Sequence, residues 1–176
     1  MASESHCGEE FKAEIELAEV TPAALEVITL LNRTWPVYEM AVAEFLVNYV
    51  KGDVAEARIM TSHLTTDGKL QKLLLLATHH GRSEDEQLFG KIGKLHKSMA
   101  ATRNVVVHCP LLGVYRPDPT KVVFLKGRFI TGTQLTQVSI VRVAKVLAVA
   151  RFASVYSEVL IKATCRMTSG SLPIKA

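Results

Sequence analysis

One stretch of this chain carries signals for both ends of a long helix, and the rest of the fold must accommodate it. Ser83-Glu84-Asp85-Glu86 reads as the start: Ser83 as N-cap, Glu86 as its capping-box partner, and the acids against the positive end of the helix dipole. Cys109-Pro110 marks the end, because proline disfavours helical geometry in the residue before it. Between them Leu88, Ile92, Leu95, Met99 and Thr102 step by three or four and predict the inward face, while Lys91, Lys94 and Lys97 form a basic outer side.

Upstream, the chain reads as further helices that can bundle with this one. Residues 10–20 suggest a short helix offering Phe11, Ile15 and Leu17. Thr21-Pro22 reads as an N-cap followed by proline in the first turn, leading a helix over residues 23–32. Pro36 predicts a break, after which Met40, Ala43, Phe45, Leu46, Tyr49 and Val50 follow a new helical pattern ended by Lys51-Gly52. Asp53 caps a segment reaching about Leu64, and Thr66-Asp67 opens a helix with Leu70, Leu73, Leu74 and Ala77 inward and Gly81 as its stop.

Downstream of Pro110, residues 114–116 and 121–125 flank Pro117-Asp118-Pro119-Thr120, the composition of a β-hairpin turn. A last helix is expected from near Thr133 to about Lys162, burying Leu135, Val138, Val141, Val146, Val149, Phe152, Val155 and Val159. The expected class is therefore all-α: a helical bundle of about five to six helices, with a small β-hairpin insert before the last long helix. Residues 1–20 are expected to be a tail or short helix, 21–166 a single helical domain, and 167–176 a tail.

An apolar content of 48% over 176 residues is enough for one substantial core. No apolar run approaches the roughly 20 residues that span a bilayer, and the acidic N-terminus lacks a basic-then-apolar leader pattern. A cytoplasmic protein without membrane contact is the expectation. Cys7, Cys109 and Cys165 are odd in number and far apart, without CxxC or Cys/His ligand spacing, so neither a disulfide framework, a metal site nor a cofactor is expected. Cys109 adjoins His108, but a Cys–His catalytic pair ordinarily meets through the fold, and packing is the better role for this thiol. His79 and His80, adjacent on a helix, point in different directions and read as surface residues; His96 is assigned no role.

Phosphate-loop, dinucleotide-binding, HExxH and GxSxG motifs are absent, which removes the commonest enzyme classes. The net charge of +4 conceals a division of function-relevant size. Residues 1–60 hold eleven acidic and four basic side chains, whereas residues 61–176 hold six and seventeen. A basic portion favours polyanions such as nucleic acid, although two halves of opposite sign can also neutralise each other in the folded chain.

Arg103-Asn104-Val105-Val106-Val107-His108 puts strongly polar side chains where the helix should end. In an unbroken helix residues five apart differ by about 140° in azimuth, so Arg103 and His108 are expected to meet only through a local distortion or a second chain. An arginine followed after four residues by histidine, with a polar residue directly after the arginine and a long last helix downstream, resembles the HEPN superfamily. That resemblance covers about residues 37–165, although only the motif and helix order carry it. It implies a helical bundle that forms a homodimer, with two motifs brought together, and in active members a metal-independent endoribonuclease. His108 would then be the acid/base, Arg103 the phosphate clamp and Asn104 the residue that orients one of them, leaving a 2′,3′-cyclic phosphate. Lys97, Arg116, Lys121, Lys126 and Arg128 are the candidate contacts to RNA; the hairpin basic residues either guide a phosphate backbone or merely cover one end of the bundle. The alternative is a noncatalytic module that binds nucleic acid or protein, such as the antitoxin-paired or scaffold members the resemblance also implies. In that case Arg103 and His108 only satisfy carbonyls at a helix end.

Overall fold

Leu31, Trp35, Tyr38, Val42, Phe45, Leu46 and Tyr49 recur at helical spacing, and all are buried along one helix, α1 (Pro22–Tyr49). The expected break at Pro36 does not occur. Proline removes one helical hydrogen bond and costs about 3 kcal/mol, yet burying Leu31, Val42, Phe45 and Leu46 contributes about 1.5–3 kcal/mol each. Pro36 and Asn32, whose carbonyl loses its partner, are both exposed, so water can serve that carbonyl.

The computed structural model describes residues 16–50, 53–126 and 138–169. They form helices α1, α2 (Val54–Thr61), α3 (Thr66–His79), α4 (Ser83–His108) and α5 (Val143–Thr168), with strands β1 (Leu17–Ala18), β2 (Leu111–Tyr115), β3 (Lys121–Leu125) and β4 (Val138–Arg142). The fold is mostly helical, but its β part exceeds the expected hairpin: four antiparallel strands lie in the order β1-β2-β3-β4. Two compact units divide the chain, one from Met1–Asn32 and Ala101–Val149, the other from Arg33–Ala100 and Ala150–Ala176.

The first unit holds the sheet. Its β2–β3 hairpin is closed by Asp118 N–H to Tyr115 O at 2.9 Å and Lys121 N–H to Asp118 O at 3.0 Å. Val122, Val123 and Phe124 are buried in succession, so both faces of β3 are covered and the alternation that marks a half-exposed strand is missing. Val138 to Arg142 pairs along β3, with Val141 opposite Val122, instead of opening the last helix. β-Branched residues at alternate positions suit a strand, and β3 offers an edge to pair with, which outweighs the helical period that also fits this run. Leu17 and Ala18 likewise pair with Tyr115 and Val114 rather than continuing a helix. Gly113 permits this approach: a Cβ there would lie 2.7 Å from the Ala18 carbonyl oxygen.

The second unit is a helical assembly around Trp35, Tyr38, Phe45, Leu70, Leu73, Phe89, Ile92 and Leu160. Asp53 caps α2 by accepting from Ala55 N–H and Glu56 N–H, as expected, and Thr65 rather than Thr66 caps α3 through Gly68 N–H. Gly81, at φ 65°, ends α3 with Arg82 N–H on Ala77 O and Gly81 N–H on Thr78 O, the paired bonds of a Schellman motif. Helix α4 then starts with Ser83 already inside it, because Glu86 N–H bonds to Arg82 O at 3.0 Å. Its buried line runs through Phe89, Ile92 and His96, one position beyond the expected Leu88 and Leu95, because Phe89 packs edge-on against Phe45 and Tyr49. On α5, Phe152 is buried as expected, but Val155 and Val159 are exposed and Ala153, Leu160 and Ala163 take the inward positions.

Candidate active site

The end of α4 is built by two opposed faces. Thr102 and Val106, one turn apart, are buried, whereas Asn104 and His108, also one turn apart, lie exposed on the far side. The helix is undistorted up to its stop, since Cys109 N–H still bonds to Val105 O at 3.0 Å. Past it, Leu125 N–H donates to Pro110 O at 2.9 Å, so the end of β3 holds the residue that follows the helix. Proline stops α4 and the sheet fixes where it stops.

Arg103 is half-buried between these faces and crosses to the exposed one. Its Nη1 donates to Asn104 Oδ1 at 3.0 Å and lies 3.1 Å from His108 Nε2. The three motif residues therefore meet within one chain and without a helix distortion, contrary to the azimuth argument. Azimuth describes where the Cα–Cβ bonds point and leaves out the length of the arginine side chain. A rise of about 7.5 Å separates the two residues, and the two side chains together span it, with Nη1 and Nε2 3.1 Å apart.

The expected RNA contacts are not all in one place. Arg116 donates to Leu17 O at 3.1 Å and faces Glu16 at 3.7 Å, tying down β1. Lys121 pairs with Asp118 at 2.9 Å and lies 5.9 Å from the Tyr115 ring centroid. Hydrogen bonds from Thr120 first and Lys121 second hold the Asp118 carboxyl at about 2, so that pair persists at neutral pH. Lys126 is exposed directly after β3. Lys97 belongs to the other unit, 3.9 Å from Asp67. Arg128 lies outside the described residues.

His96, given no role by sequence, is buried in the helical unit, 3.3 Å from the Tyr38 hydroxyl and stacked on Trp35 at 5.5 Å. Burial first, then the Glu39 carboxylate, pushes the Tyr38 phenol far above its ordinary range. No short-range sequence signal could reveal this cluster, because Tyr38 and His96 are 58 residues apart. A shallow groove of the same unit, lined by Leu74, Glu86, Gly90, Lys91 and Lys94, contains none of the motif residues.

Among the described residues, no three His, Cys, Asp or Glu side chains are grouped to hold a metal ion, and no helix is long and apolar enough to cross a membrane. Cys109 and Cys165 are unbridged thiols. Comparison with protein-family models, with curated proteins and with solved structures gives no match.

Proposed function

We propose that this chain is a metal-independent endoribonuclease of the HEPN kind, with Arg103 and His108 as its reacting pair and RNA as its substrate. The observation that supports the reading most is the 3.1 Å approach of Arg103 Nη1 to His108 Nε2 on the exposed face of a helix end. An imidazole and a permanently charged guanidinium within hydrogen-bond reach of each other and open to solvent can serve one phosphodiester together.

In this reaction His108 Nε2 takes the proton of a ribose 2′-OH, and the freed oxygen attacks the adjacent phosphorus. The P–O5′ bond breaks, a proton returns to O5′ from an imidazolium, and the products are a 2′,3′-cyclic phosphate and a 5′-hydroxyl. Arg103 stabilises the charge on the phosphoryl oxygens as it develops, the larger share of catalysis in such a site. Asn104 holds the guanidinium by accepting from Nη1 at 3.0 Å. A homodimer would supply a second imidazole, so that one ring serves as base and the other as acid.

Purified protein incubated with a mixed RNA pool in the presence of a chelator tests the proposal. Wild type is expected to leave cyclic-phosphate 3′ ends. His108→Ala and Arg103→Ala should each reduce the rate by a factor of about 10² or more, the range for a general base or a charge-stabilising donor. Absence of cleavage, or equal cleavage by all three proteins, would instead favour a noncatalytic binding module in which the contact is helix-end architecture.

A further inference from the structure

We infer that Arg103 and His108 form a self-locked resting site, in which the guanidinium occupies the Nε2 lone pair of His108, and that a phosphate oxyanion is the ligand that opens it. This deepens the ribonuclease reading and takes its functional sense from it.

A guanidinium carries only donors. With Nη1 at 3.1 Å, Nε2 of His108 must therefore be the acceptor, which places the proton of a neutral ring on Nδ1. Nη1 has two N–H groups, and Asn104 Oδ1 at 3.0 Å accepts the other. The nitrogen that would receive the 2′-OH proton is thus already occupied, by the same residue that would clamp the phosphate. Each group masks the other.

The contact to His108 is made to a neutral acceptor, which holds a guanidinium less strongly than an anion does. A phosphodiester presents two charged oxygens in the geometry that a guanidinium fork matches, and such charge-assisted bonds are about twice as strong as neutral ones. An arriving phosphate draws Arg103 onto itself, and by that movement releases Nε2 beside the 2′-OH of the same nucleotide. The base becomes available only where a phosphate is bound. Asn104 is a positioning residue in this scheme: it stands one turn before His108 on the same face and keeps the guanidinium at the ring.

Long-range ¹H–¹⁵N spectra of the full chain labelled at histidine read the protonation of each ring nitrogen, and comparison with His108→Gln assigns the His108 signals. At pH 8, wild type should show His108 with Nδ1 protonated and Nε2 as an acceptor. Arg103→Ala should shift the population toward the Nε2-protonated form, with Asn104→Ala intermediate. Inorganic phosphate should move wild type toward the Arg103→Ala pattern and leave Arg103→Ala unchanged. Identical His108 signals in wild type and Arg103→Ala, or the same phosphate response in both, would overturn the lock. The readout is independent of turnover. A phosphate-driven change in a protein that cleaves no RNA would support the lock and remove the ribonuclease reading; RNA cleavage with no tautomer difference would remove the lock alone.

Discussion

At Tyr49 the phenol donates to Asp85 Oδ2 at 2.7 Å, while the Arg82 guanidinium lies 5.0 Å from the ring centroid. Burial first, and then the Asp85 hydrogen bond, raise the phenol from 10.0 to about 12. The unfolded chain therefore releases this proton before the folded chain does, so the folded state binds more protons between about pH 10 and 12 and stability falls as pH rises through that window. Below pH 10 the contribution is complete. Tyr49→Phe should lower stability at pH 8 by about 1 kcal/mol, the worth of one hydrogen bond, and the gap to wild type should close on approaching pH 12. Urea denaturation of both proteins at several pH values checks this, because other groups titrating there affect both alike; a gap independent of pH would contradict it. Single residues were unevenly legible in the sequence. Arg103, Asn104 and His108 could be singled out by type and position, but their meeting depended on side-chain reach that backbone azimuth does not encode. Tyr49 and Asp85, or Tyr38 and His96, are joined only by tertiary packing and gave no local signal.

Elements were readable where their ends carry chemistry. Asp53, Gly81 and Pro110 mark the start of α2 and the ends of α3 and α4, and the structure has those boundaries. Pro36 reads locally as a break, because its cost is local while the buried face that offsets it is spread along the whole of α1. Val138 to Arg142 misled for the opposite reason: its pattern serves a helix or a strand, and only the open edge of β3 decides. β1 is two residues long, too short for any periodicity, and depends on a glycine in its neighbour. Gly113→Ala would set a Cβ 2.7 Å from a backbone carbonyl that cannot rotate away. The expected result is a loss of about 1–3 kcal/mol, as in other overpacked sites, with β1 released from β2. Amide exchange should show this locally: Arg116 N–H, bonded to Glu16 O, should lose protection while the β2–β3 amides keep theirs. Unchanged protection at Arg116 would show that the strand adapts.

For the whole molecule, the helical class was legible because apolar periodicity and cap residues agree over most of the chain. The full extent of the sheet was not, since two of the four strands among the described residues, β1 and β4, gain their identity from their pairing partners. The charge division between residues 1–60 and 61–176 bears on partners rather than on fold, and it is compatible with a polyanionic substrate. In the proposed reaction the exposed end of α4 activates a ribose 2′-OH against its own phosphodiester. A short RNA carrying a single 2′-deoxy nucleotide at a step that the protein cleaves in the all-ribose parent tests this most directly. Cleavage should disappear at the substituted step and continue at neighbouring ones, with a cyclic phosphate on each new 3′ end. Cleavage that persists at the deoxy step would contradict it, because no 2′-oxygen would be there to attack.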